Sequence, residues 1–241
     1  MIKVVQVHMQ GRFGNNLFQY ATGRALAEKY GAELQVTKPS DHGPWIGPEV
    51  FEDAGAEPFN PKLSPRDPQI LSLRGYFQDP GSTAQYTRAQ VRKWFSIKPE
   101  FRIEKRTDWA YPQAAYHLRH GDFKTEPSWC VVTEESYRQF AACMGLKLEQ
   151  FVKVCGETPH TDRKLPPHLQ LMVDFQILTR ANVLLRANST FSWWAAVLGN
   201  GSVYSPRVTG KTGLSFYIFE YGNHCSLLSD PSVPDMANPP E

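Results

Sequence analysis

No stretch of this 241-residue chain stays apolar over the roughly 18–20 residues that a membrane-crossing helix needs. Cysteine is sparse. The four, Cys130, Cys143, Cys155 and Cys225, show no C-x-x-C spacing, which argues against zinc ribbons and thioredoxin-like redox motifs. Four scattered thiols fit a reducing compartment, so the expected location is cytoplasmic, with peripheral membrane attachment left open. Charge of one sign is missing too. The 26 basic and 24 acidic side chains leave +2, and no global field calls for nucleic acid or an anionic membrane. The opening residues carry one lysine and a short alternating apolar run, not a signal peptide, so the sequons at Asn188 and Asn200 read as chance matches. No D-x-D occurs, the paired carboxylates that commonly hold a divalent ion against a diphosphate. Any diphosphate bound here must therefore be neutralised by arginine and helix N-termini. No G-x-G-x-x-G is present. "TGKTG" at 209–213 has Ser205 where a P-loop needs glycine, and it follows Pro206 instead of joining a strand to a helix.

The remainder is ordinary for a globular protein: 41% apolar residues, 21% charged and a slightly rich 12% aromatic. The chain opens with a strand pattern over Ile2–Met9. A helical pattern follows, with Leu17, Phe18, Ala21, Ala25, Leu26 and Tyr30 at three- to four-residue steps. Asn15 or Asn16 is the expected N-cap and Gly31 the stop. "AELQV" reads as the next strand. Residues 38–68 are Pro-rich and aperiodic, hence loop with at most short pieces of structure. "ILSLRGYF" at 70–77 reads as a strand and 83–95 as a helix, and the polar run "KPEFRIEKRTD" is the candidate linker. Beyond it, "AAYHL", "FVKVC", "NVLLRA" and "SVYSP" are expected strands. They alternate with expected helices at 133–145, "PPHLQLMVDFQILTRA" and "STFSWWAAVLG", the first opened by a Thr133 cap. Alternation of this kind predicts parallel α/β sheets, and the tail from Asp230 is expected to be loose.

Three stretches begin where a strand is expected to end, which in a doubly wound sheet is where ligands bind. "GRFGNN" at 11–16 joins flexible glycines, the planar charge of Arg12 and a helix start; an ordinary capped turn has the same composition. "HLRHGDF" sets His117, Arg119, His120 and Asp122 at one strand edge. On a strand His117 and Arg119 share a face, whereas His117 and His120 point apart, so a two-histidine metal site is not expected. A surface ion pair of Arg119 with Asp122 is the plainer alternative. "RANSTFSWWAAVLG" places Ser189 and Thr190 at a helix N-terminus, suited to phosphate oxygens or to simple capping, with Trp193 and Trp194 expected in the core.

In this order the three stretches resemble glycosyltransferase family 11, the α-1,2-fucosyltransferases. "GRFGNNLFQYATGRALAEKYG", "HLRHGDF", "RGYFQDP" and "ANSTFSWWAAVLG" each look like one of that family's motifs. The resemblance covers most of residues 4–205. It implies a GT-B-like fold: two Rossmann-like α/β domains with parallel sheets facing a cleft. The expected bounds are 1–105 for the acceptor side, 106–230 for the nucleotide-sugar side and 231–241 for the tail. It further implies an inverting, metal-independent transfer of L-fucose from GDP-fucose to a galactoside hydroxyl, with no cofactor besides the donor substrate. Arg119 would grip the diphosphate, His117 would lie near the nucleotide, and Ser189 and Thr190 would hold phosphate oxygens. Asp174 would read the guanine edge. Arg12 and Asn15 would face the fucose and acceptor. Gly14, Asn188 and Phe191 complete the motif residues expected to line the substrates. Asp122 and Glu126 are the candidates for general base, Asp122 being better suited to orienting Arg119. The family's second arginine is His120 here, so one fixed charge becomes conditional on pH. A sugar-nucleotide binder without transfer activity, or a transferase using another GDP-sugar or another acceptor, carries the same motifs.

Overall fold

The computed structural model describes residues 1–37, 47–53, 55–58, 67–103, 113–119, 132–156, 167–209 and 213–218. Contacts divide the chain into two compact units, Met1–Phe101 and Arg102–Glu241.

The first unit starts with β1 (Val4–His8) and α1 (Phe13–Tyr30). β2 (Glu33–Val36), a single-turn α2 (Gly47–Val50), β3 (Glu57–Pro58) and β4 (Ile70–Arg74) follow. The sheet order is β3-β2-β1-β4 with every pairing parallel. Alternation sends Val5, Val7, Leu34 and Val36 to the buried face. Gly23 brings α1 close against that face, since a Cβ there would run into Val7 and stand 3.0 Å from Leu34 Cδ1.

The N-cap of α1 is Arg12, in extended backbone and without a side-chain cap bond, so neither asparagine caps the helix as the sequence suggested. Both lie inside it and are used elsewhere, as described below. Gly31 does end α1, at φ 61°, the left-handed conformation glycine adopts without strain. β4 is shorter than 70–77. Gly75 (φ 149°) and Phe77 (φ 53°) turn the chain out of the strand. The expected helix over 83–95 starts later, as α4 (Arg88–Trp94) opened by a Thr87/Gln90 capping box, and a separate turn, α3 (Pro80–Thr83) capped by Asp79, precedes it. Two strong N-caps eight residues apart stop one helix and start another. Phe51, Phe95 and Tyr20 close the core beneath, with ring centroids 5.3 Å and 5.8 Å apart.

The second unit alternates β5 (Ala114–His117), α5 (Glu134–Cys143), β6 (Val152–Val154), α6 (Pro167–Arg180), β7 (Val183–Leu185), α7 (Thr190–Leu198) and β8 (Ser202–Thr209). Thr133 caps α5, its hydroxyl accepting Ser136 N–H at 3.2 Å. "SVYSP" is not the last strand. β8 runs on to Thr209, and β9 (Gly213–Ile218) returns antiparallel beside it. "TGKTG" therefore lies on a hairpin connection rather than a strand–helix junction. The sheet order is β6-β5-β7-β8-β9, parallel apart from β9.

Strand alternation divides β5 between two helices. Tyr116 faces α5, its ring 5.3 Å from that of Tyr137, and His117 faces α7. Glu134 at the head of α5 accepts hydrogen bonds from Tyr116 Oη (2.8 Å) and Lys153 Nζ (2.9 Å), tying helix, β5 and β6. These two bonds hold the Glu134 carboxyl below its usual range, the lysine contributing most. Trp193 and Trp194 are buried in the core as expected, packed edge to face at 5.0 Å.

Candidate functional site

Each sheet reverses its winding at one place. In the second unit β6 lies to one side of β5 and β7, then β8, to the other. Connections on either side of that reversal leave the sheet in opposite directions, and a crevice opens outside the carboxyl ends of the two central strands. β5 and β7 pair with Tyr116 opposite Leu185, so the stretches after His117 and after Leu185 leave the same edge side by side. "HLRHGDF" and "RANST" are those two stretches.

Several bonds shape this edge. Tyr137, fully buried, donates its hydroxyl to the His117 carbonyl at 2.7 Å, and burial pushes its phenol pKa up. Leu118 N–H still bonds Val154 O at 2.8 Å, but β5 proper ends at His117, so strand alternation does not set the direction of half-buried Arg119. Ser189 caps α7, its Oγ accepting Phe191 N–H at 3.3 Å. Its hydroxyl proton is not used by the cap. Ser192 Oγ reaches back to the carbonyls of Ala187 (3.1 Å) and Ser189 (3.3 Å). Phe191 is wedged between strand and helix, its ring 5.4 Å from His117 and 5.3 Å from Phe175. Asn188 and Thr190 are half-buried beside it. The positive end of the α7 dipole thus meets the β5 edge that carries Arg119.

Asp174, one residue before Phe175 on α6, is 4% exposed. Gln170 Nε2 approaches its Oδ1 at 3.5 Å, and burial raises its pKa to about 6 against the weaker opposing effect of that amide. The native state therefore holds this proton more tightly than the unfolded chain, and the stability belonging to the protonated form is lost as pH rises from about 4 through 6. Asp174→Asn is expected to raise stability at pH 7 by up to ~3 kcal/mol, with the gain vanishing below pH 4. Urea denaturation at the two pH values checks this; an equal effect at both would rule out a titrating Asp174.

Arg186 escaped the sequence reading. It is 2% exposed at the carboxyl end of β7, and its Nε donates to the Ala187 carbonyl at 3.2 Å, shaping the bend before the Ser189 cap. The available signal was a lone arginine directly after the apolar "NVLL". His120, Asp122 and Glu126 lie outside the described residues.

The first unit has its own reversal, between β1 and β4, where His8 pairs with Arg74. "GRFGNN" and "GYFQD" leave this edge together. A buried amide, Gln19, joins them. Its Oε1 accepts Gln10 N–H and Asn16 Nδ2, both at 3.1 Å, while its Nε2 donates to the Gly75 carbonyl at 3.1 Å. Asn16 Nδ2 also reaches the Gln10 carbonyl at 3.0 Å. Asn15 Oδ1 accepts Gln78 Nε2 at 3.0 Å. Arg12 is exposed at the lip, whereas Gly14 is buried in the first turn of α1. His8 bonds Ser72 Oγ at 3.0 Å, and burial, with Arg74 second, lowers its pKa. Gln19 went unnoticed because a helix-face polar residue looks solvated until its partners are known.

No family model matches the sequence, and no curated protein matches it. Solved structures do. Fucosyltransferase NodZ from Bradyrhizobium aligns at a TM-score of 0.53 with 12% identity, covering 90% of this chain and 99% of that one. NodZ α-1,6-fucosyltransferase soaked with GDP-fucose aligns at 0.52 with 13% identity over the same shares. The fold is glycosyltransferase-like. At such identity the similarity speaks for fold, and the family 11 motifs find no matching family model behind them.

Proposed function

We propose that this chain is an inverting glycosyltransferase that moves L-fucose from GDP-fucose to a hydroxyl of a galactoside-type acceptor, with an α-1,2 linkage and no metal. The observation that carries this reading is the β5/β7 reversal. It sets the arginine-bearing strand end beside a helix N-terminus, the local equipment for a diphosphate in a chain without D-x-D.

In the proposed reaction the C1–O bond of the donor lengthens and the sugar gains oxocarbenium character. Negative charge grows on the departing GDP. Arg119 and the first turn of α7, with the Ser189 and Thr190 hydroxyls, stabilise it. The acceptor oxygen attacks the opposite face of C1, and its proton passes to a carboxylate, Asp122 or Glu126. Asp174, ionised, accepts from the guanine N–H and amino groups. Those donors replace the water that burial removed from the carboxylate, so GDP affinity falls as pH drops below about 6.

The test is an activity screen with GDP-fucose and a panel of galactosides, with EDTA present and product linkage read by NMR. Acceptor-dependent GDP release with a fucosylated product is the expected result. GDP binding without any transfer would favour the alternative that His120 suggests, a sugar-nucleotide binder. Absence of GDP binding by calorimetry would overturn both.

A further inference from the structure

We propose that Arg186 is a specificity-determining residue of the donor edge, a buried and permanent positive charge beneath the first turn of α7 that makes the site select a nucleoside diphosphate over an uncharged nucleoside. The assignment rests on the transferase reading above and adds to it a residue that has no role there.

Three observations converge. The first is a polar layer. Tyr116 pairs with Leu185 and Leu185 with Tyr204, and these side chains pack with Tyr137 on the α5 side of the sheet. One residue further along each strand the side chains turn to the other side, so His117, Arg186 and Ser205 stand at one level. The His117 ring lies 5.4 Å from that of Phe191, which marks this as the α7 side. The three residues are 6%, 2% and 0% exposed, and Ser192 in the first turn of α7 is also wholly buried. The level before it on the same side, Ala115, Leu184 and Val203, is apolar. The core therefore changes character in its last layer beneath the helix start.

The second is the seat of the guanidinium. Arg186 N–H bonds the Tyr204 carbonyl at 3.0 Å and extends the β7–β8 ladder by one residue. Its Nε donates to the Ala187 carbonyl at 3.2 Å, and the same carbonyl accepts Ser192 Oγ at 3.1 Å. One acceptor thus joins the arginine to the first turn of α7. The charge also reaches Tyr137, where burial pushes the phenol up and the Arg186 guanidinium opposes the rise. Tyr137 Oη in turn bonds the His117 carbonyl at the end of β5. The charge is therefore felt at both strand ends that flank the reversal.

The third is an unused hydroxyl. Ser205 Oγ, wholly buried at the same level, has no hydrogen-bond partner among the described residues. A buried hydroxyl left in that state costs free energy, and a bound group or water is the usual completion.

The chemistry selects the ligand. Burying a guanidinium is costly, and it cannot shed its charge by losing a proton. At a ligand edge that cost is offset when the ligand brings the opposite charge. A buried charge is little screened by salt and acts on a nearby phosphate without touching it. Its solvation has already been given up on folding, so it is preorganised for an anion. His120, the cation next to Arg119 in sequence, is charged only as pH falls toward its ordinary range, whereas Arg186 keeps its charge at every working pH. A diphosphate is polyanionic and guanosine is neutral, so this charge strengthens binding of the first and leaves the second unaffected.

The experiment uses the full chain, with GDP binding read by calorimetry and guanosine binding by competition in saturation-transfer NMR. Arg186→Met, neutral and of similar length, is expected to weaken GDP by about tenfold or more and to leave guanosine within about twofold. Arg186→Lys retains the charge and is expected to keep GDP within about threefold of wild type. Unchanged GDP affinity in Arg186→Met, or parallel losses for GDP and guanosine, would mean that Arg186 only shapes the bend before Ser189; the donor reading would then stand without it. Should Arg186→Met fail to fold, Arg186→Lys decides. A folded lysine variant with the wild-type preference for GDP over guanosine supports the assignment, and one that loses this preference or does not fold overturns it. If wild-type protein binds no GDP, the donor reading itself fails and takes the assignment with it.

Discussion

Replacing Arg119 by alanine is expected to lower kcat/KM for GDP-fucose by about 10²–10³, the loss typical of removing one preorganised donor from a developing anion. The physical case is specific. A departing nucleoside diphosphate concentrates negative charge on its terminal phosphate, and this sequence has no D-x-D to recruit a divalent ion against it. In the proposed mechanism two positive features serve that charge, Arg119, two residues past the end of β5, and the N-terminal end of α7, which follows β7. The helix end supplies only about half an elementary charge, so the guanidinium is the larger contributor. Arg119→Lys retains the charge and loses the two-pronged fork, and an intermediate loss of about tenfold is expected. Arg119 lies beyond the end of β5 and is only half-buried, so circular dichroism and thermal unfolding of both variants should match wild type. Wild-type turnover in Arg119→Ala would sink the mechanism.

Gly201→Ala is expected to give a large loss of stability, about 3 kcal/mol, at the upper end for overpacking. The turn between α7 and β8 passes directly over the chain leaving α6. A Cβ on Gly201 would collide with the Ala181 carbonyl and stand 2.6 Å from the Asn182 carbonyl oxygen. These are backbone atoms, which no rotamer change can move aside. The adjoining Ser202 N–H is bonded to that same Asn182 carbonyl at 2.8 Å, so relief of the clash would break the first rung between β7 and β8. For a domain of this size the loss corresponds to a fall in Tm of about 6–12 °C. Gly145→Ala is the control. It has φ 72° with open space around it, and only a conformational cost of about 1 kcal/mol is expected. Thermal unfolding of the two variants side by side decides the matter; equal midpoints would refute the close packing of this turn.

The sites differ in how far the sequence revealed them. Arg119, His117 and the Ser189–Thr190 pair stood out because charged and hydroxyl residues directly after apolar strands are conspicuous. Arg186 and Gln19 did not, since their importance comes from burial and from partners far along the chain. Asn16 looked like a helix cap because asparagine before an apolar run usually is one, and its real partners are the Gln10 carbonyl and the Gln19 amide. β9 was missed because the sequence between Thr209 and Gly213 carries no standard two-residue turn signal.

What the sequence by itself determined is local: the β-α alternation, the Thr133 and Ser189 caps, the Gly31 stop and the burial of the two tryptophans. Each is set by side-chain periodicity or by a hydrogen bond within a few residues. Only the tertiary structure decided which strands lie beside which. The pairings of Val4 with Ile70 and of Tyr116 with Leu185 join segments whose side-chain patterns say inside or outside but never name a neighbour. Those pairings fix where each sheet reverses, because parallel strand order is chosen by the packing of whole crossover units and leaves no mark on any single stretch of chain.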